Sequence, residues 1–117
     1  MLQLHPQVQY YLYSHPVDMR KGLHGLYGLI YGSQSGGVVS GAVYIFLNRR
    51  RTQIKLFTWE GDGFALYHKR LEKGSFEQPV ISNENTVKLS MHQLQCILQG
   101  VVMSSIKMRH RYQQKAA

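Results

Sequence analysis

Apolar residues gather in strand-like runs at five places along this chain and recur at helical spacing at two others. The first run, "VQYYLYS" (8–14), is aromatic and β-branched and predicts a strand. In "HPVDMRKG", Pro16 biases His15 to extended backbone, and Asp18 stands where it can cap a helix beginning just after it. Leu23, Leu26, Tyr27 and Ile30 then follow at helical spacing. Gly22, Gly25 and Gly28 interrupt that stretch. Each costs about 1 kcal/mol against alanine inside a helix, so close packing of backbone on a sheet is expected to offset them.

"GSQSGGVVSG" (32–41) reads as a loop joining elements of one domain. After it come "AVYIFLN", "TQIKLFTW" and "FALYHKR", separated by "NRRR" and "EGDG". Both separators have hairpin length, and Gly61 and Gly63 supply the positive φ such turns often require. The three runs predict an antiparallel meander that ends at "EKGSFEQP", where Pro79 stops further pairing. A short strand is expected near "NTVKLS". In "SMHQLQCILQG", Ser90 and Gln93 form a capping box, Leu94, Ile97 and Leu98 face inward, and Gly100 ends the helix. The fold class is therefore α+β: an antiparallel meander extended by the N-terminal strand, one helix after that strand and a second near the C-terminus. Residues 1–106 are expected to form the domain and residues 107–117 a basic tail.

The hairpin loops also set the register, and with it the two faces. Val43, Ile45, Leu47, Ile54, Leu56, Ala65 and Tyr67 share one; Tyr44, Phe46, Lys55, Phe57, Trp59, Phe64, Leu66, His68 and Arg70 share the other. The aliphatic face is the expected seat of the Leu23–Ile30 helix. The mixed face has two readings. Either the second helix covers it through Leu94 and Ile97, or it stays open as a platform for single-stranded bases, each aromatic contributing about 1–3 kcal/mol. In both, Lys55, His68 and Arg70 are expected at one rim.

Charge sharpens the picture. Fourteen Lys and Arg stand against six Asp and Glu, a net +8, the footprint of a polyanion binder. No apolar run approaches the roughly 20 residues of a membrane span, and Met1–Pro6 lacks the basic flank and apolar centre of a signal peptide. Cys96 is the only cysteine, which excludes an internal disulfide and a cysteine-based zinc site and suits a reducing cytoplasm. It sits mid-helix beside the apolar stripe, as an inert buried thiol would.

Catalytic chemistry finds little support. Glu60 and Asp62 alternate in a turn and could share Mg²⁺, but a third ligand would have to come from Asp18 or Glu72, neither adjacent in sequence. The histidines show no H-x-x-x-H or H-E-x-x-H pair, Ser14 and His15 lack a nucleophile elbow, and no phosphate loop is present. No catalytic residue, metal or cofactor is assigned. The binding candidates are Arg49, Arg50 and Arg51 on the hairpin tip, Lys55, the Lys69, Arg70 and Lys73 cluster, and Arg20 with Lys21, with Trp59 as a stacking aromatic.

In order, "VDMRKGLHGL", a strand with an arginine-rich tip, and "IKLFTWEGDGFALYHKRLEKGSF" closely followed by proline resemble the TnpB-like accessory protein of bacterial insertion sequences of the sixty-six type. That protein is encoded by the element's second open reading frame and is unrelated to the RNA-guided nuclease sharing the label. The resemblance covers about residues 8 to 100. It implies a non-catalytic role in transposition beside a separate transposase that carries the acidic catalytic residues. It supplies no agreed binding residues. The loop at 33–40 lacks an Asp-Pro-type segment often seen in the family, and Glu60 stands where aspartate is usual, which weakens the metal reading. The expectation is an accessory factor that contacts DNA through basic hairpin ends. The alternative is an adaptor docking on the transposase, its charge matching an acidic partner; a metal-dependent nuclease is the outsider.

Overall fold

The computed structural model describes residues 4–33, 39–77 and 83–99. Pro79, Gly100 and the expected tail at 107–117 lie outside them. The elements run β1 (Tyr10–Tyr13), α1 (Leu23–Ser33), β2 (Val43–Leu47), β3 (Gln53–Trp59), β4 (Phe64–Arg70), β5 (Thr86–Leu89) and α2 (Met91–Gln99). They form the α+β fold expected, with β2, β3 and β4 as the meander.

The sheet order is β4-β3-β2-β1-β5. β1 therefore lies between β2 and β5, parallel to β2 and antiparallel to β5. The β1–α1–β2 segment is a crossover between adjacent parallel strands, a connection that needs a helix-length return. Across the meander Leu47 pairs with Ile54 and Trp59 with Phe64, so both hairpin loops set the expected register. The two faces sort as the alternation requires.

Which helix covers which face is the reverse of the expectation. Leu94 and Ile97 of α2 pack on the aliphatic face with Tyr10, Leu12, Val43, Ile45, Leu47, Ile54, Leu56, Phe76 and Leu89. Leu26 and Ile30 of α1 pack on the aromatic face with Tyr44, Phe46 and Phe57. The aromatic face is thus core, not an open platform. Volume explains the match: the glycine-rich α1 buries only two large side chains completely, so the sheet rings fill the layer. Tyr11 stacks on Tyr44 at 5.4 Å, extending that layer onto β1.

Two local expectations also change. Asp18 does not cap α1. Its side chain closes a turn by accepting the Arg20 N–H at 2.9 Å, and the first α1 bond runs from Leu26 N–H to Gly22 C=O at 3.0 Å. Gly22, Gly25 and Gly28 do not serve close backbone packing either: a Cβ on Gly22 or Gly28 would meet open space, and one on Gly25 would touch only the Lys21 side chain. The α2 capping box forms as expected, Gln93 N–H to Ser90 Oγ at 3.0 Å and Ser90 N–H to Gln93 Oε1 at 2.8 Å. Among the described residues no helix is long and apolar enough to cross a membrane.

Because nothing crowds Gly28, Gly28→Ala is expected to stabilise the fold by about 1 kcal/mol through lower unfolded-state entropy. Urea denaturation measures it, and a loss of stability would mean that the bare helix surface is occupied.

Candidate nucleic-acid interface

The hairpin tip is built by Asn48. Its Oδ1 accepts from the N–H groups of Thr52 and Gln53 at 2.9 and 3.0 Å, while its own C=O accepts from Arg51 N–H at 3.0 Å. Asparagine side chains favour such local closure because the short amide mimics a peptide group. The tight turn forces Arg51 to φ 57°, a left-handed conformation costly for a residue with a Cβ. Arg49, Arg50 and Arg51 project as exposed residues, with no ion-pair partner among the described residues.

The chain from Leu71 to Phe76 folds back beneath this tip. Leu71 N–H donates to Thr52 C=O at 2.9 Å and Phe76 N–H to Arg51 C=O at 2.6 Å, with the Phe76 ring buried in the aliphatic layer. Exposed Lys69, Arg70 and Lys73 therefore sit at the same end of the sheet as the tip.

Arg20 and Lys21 reach that end from the other direction. Val17 N–H donates to Leu47 C=O at 2.9 Å, just before the tip. Lys55, only 6% exposed, sends its ammonium to the carbonyl oxygens of Met19 and Lys21, both at 2.8 Å. A buried cation is tolerated only with such partners. Lys55 thus clamps the turn before α1 to the sheet, and its buried ammonium is withdrawn from the set of surface contacts. The turn and the tip then enclose an open groove of about 620 Å³ lined by Asp18, Met19, Arg20, Asn48, Arg49, Arg50 and Gln53.

Electrostatics mark the same region. Hydrogen bonds from the Arg20 side chain and backbone hold the Asp18 carboxyl well below the usual carboxylate range, and the ion pair closes at 2.6 Å. That pair offsets part of the Arg20 charge. His68, 2.9 Å from Gln53 Oε1 through Nε2, is pushed below its ordinary 6.5 by burial and then by the charges of Lys55 and Arg70.

Trp59 does not join this cluster. It lies at the far end of β3, about 20 Å away at a strand rise of about 3.3 Å per residue, with its ring 4.7 Å from Phe64. Glu60 and Asp62 share that far end, where Glu60 N–H closes the turn on Gly63 C=O at 2.8 Å and Gly61 takes φ 97°. Among the described residues no group of three His, Cys, Asp or Glu is placed to hold a metal. Sequence reasoning missed the clamp. Its signal was a lysine between aromatic positions, opposite Phe46 and two residues before Phe57.

Compared with known proteins, residues 8–108 match the family model described as IS66 Orf2 like protein. The chain is also similar to the uncharacterized protein y4jC of Sinorhizobium fredii (strain NBRC 101917 / NGR234), 26% identical over 94 residues that cover 80% of each protein. No solved structure matches.

Lys55→Met keeps the apolar stem but leaves two carbonyl groups without their donor, and is expected to destabilise the fold by about 1–3 kcal/mol in urea denaturation. Unchanged stability would remove the clamp. For His68 the folded state favours the neutral ring, so the unfolded chain binds more protons as pH falls through 6.5. Wild type should lose stability between about pH 7 and about pH 5 more steeply than His68→Gln, measured by denaturation at each pH. Parallel curves would show that His68 titrates normally.

Proposed function

The chain belongs to the IS66 Orf2 like family, and from that premise we propose that it is a non-catalytic accessory protein for transposition that binds DNA through the basic end of its sheet. One observation carries the reading: Arg20 and Lys21, Arg49 to Arg51, and Lys69, Arg70 and Lys73 come from three separate segments and meet at one end. Glu60 and Asp62 stand at the other. Eight cations gather at that end with only Asp18 and Glu72 interspersed among them; a phosphate backbone needs several cations together, because affinity grows with each phosphate neutralised.

Within this reading the tip arginines and Lys73 contact phosphates directly, Arg70 and Lys69 extend the contact along the edge of β4, and Lys55 holds Arg20 in place from beneath. The groove between the turn and the tip receives part of the backbone. Trp59 is left out, because its end of the sheet carries Glu60 and Asp62 and, among the described residues, none of the clustered cations. The larger catalytic partner implied by the family is the element's transposase. Residues 1–106 act as one domain in this proposal, and residues 107–117 add further charge.

The strained conformation of Arg51 gives a sharp test. Arg51→Gly should stabilise the hairpin by about 0.5–1 kcal/mol, because glycine accepts positive φ. The same change should weaken DNA binding and lower the log–log salt slope by about one. Alanine at Arg49, Arg50 and Arg51 together should lower the slope by about 2 to 3 with the fold intact. Titration of a labelled duplex across a salt series measures both. A wild-type affinity indifferent to salt would instead favour the adaptor that docks on the transposase without touching DNA.

A further inference from the structure

The two edges of the sheet are unequal. β5, on one side, has four residues; β4, on the other, has seven. Short edges resist pairing with another chain, whereas a long edge with no strand beside it among the described residues, as on β4, invites it. Hydrogen-bond parity shows which groups the β4 edge offers. Glu60 pairs with Gly63 and Leu71 with Thr52, so in a uniform register the odd-numbered residues of β4 bond to β3. The N–H and C=O groups of Phe64, Leu66, His68 and Arg70 point outward, away from the sheet.

One charge pair along this edge is self-complementary. Asp62 stands at its leading end and Arg70 at its trailing end, with Glu60 and Glu72 just beyond them. Two copies laid antiparallel bring Asp62 against Arg70 at both ends. A two-fold axis through Leu66 puts Asp62 opposite Arg70 of the second copy and Phe64 opposite His68, using only outward-pointing backbone groups. At the Phe64 end the surface above the edge is aromatic. The Tyr27 ring lies 5.5 Å from Phe64, and Tyr31, stacked on Tyr27 at 6.0 Å, is 64% exposed.

We infer that β4 is a dimerisation edge, and that the protein forms a two-fold dimer with one continuous sheet through paired β4 strands. The dimer sets the two basic ends at opposite ends of that sheet. It stands apart from the DNA reading, since its test needs no nucleic acid.

Sedimentation velocity of the full chain over a concentration series should give a dimer. His68→Pro removes an outward N–H without touching the β3 ladder, and should give a folded monomer with unchanged far-ultraviolet circular dichroism. Asp62→Arg and Arg70→Asp should each weaken the dimer about tenfold, and the double variant should restore it. The charge pair keeps the test decisive if the proline variant fails to fold. A monomeric wild type overturns the inference, including one whose β4 edge is protected from hydrogen exchange by another segment of its own chain. So does a dimer that survives both single charge reversals, or a double variant that stays as weak as either single one.

Discussion

One ammonium group holds the arrangement together. Lys55 arises within the central hairpin strand, where the Phe46 and Phe57 rings on the same face are packed away from water. Its charge has to be met by polar atoms, and the carbonyl groups of Met19 and Lys21 meet it. Those carbonyls belong to the turn that launches α1. The same contact therefore fixes the start of the helix, closes one wall of the groove and brings Arg20 beside the hairpin arginines. A cation buried for structural reasons organises cations exposed at the surface. Its field, with that of Arg70, is also felt by His68.

The division of charge along the strands follows from the loops. Each hairpin turn was free to carry any polar residues compatible with its backbone, yet "NRRR" and "EGDG" carry opposite signs at opposite ends. Arg51 accepts a backbone conformation that glycine would adopt more easily, while Gly61 occupies the comparable conformation in the acidic turn. The acidic turn thus holds its left-handed position with glycine, and the basic tip holds its own with a residue that carries a Cβ.

Much of this was legible in the sequence. Alternation and loop length fixed the meander, its register and its two faces, because a period of two leaves no freedom once a hairpin loop is set. The capping box of α2 was equally local. What escaped was non-local. Both helices carry an apolar stripe, so the sequence does not say which face each covers; the crossover and the volume available decide that. The residue type of Lys55 suggested a surface contact, but its depth depends on α1 lying over the aromatic face. The glycines of α1 invited a packing explanation that their open surroundings do not support. Trp59 shares a face with Arg70 but stands at the wrong end of it, a distinction that a reading by faces alone does not draw.

The position of β1 carries a consequence for biosynthesis. It is made first and pairs on both sides with segments made later: β2, then β5 after a further forty or so residues. At a synthesis rate of about 5–20 residues per second, one flank stays open for roughly 2–8 s after the other closes. During that interval the aliphatic layer also lacks Leu94 and Ile97 of α2. A nascent chain of this design shelters its aromatic layer well before its aliphatic one, so a ribosome stalled short of Ile97 holds a half-closed product, ready for a chaperone or a protease.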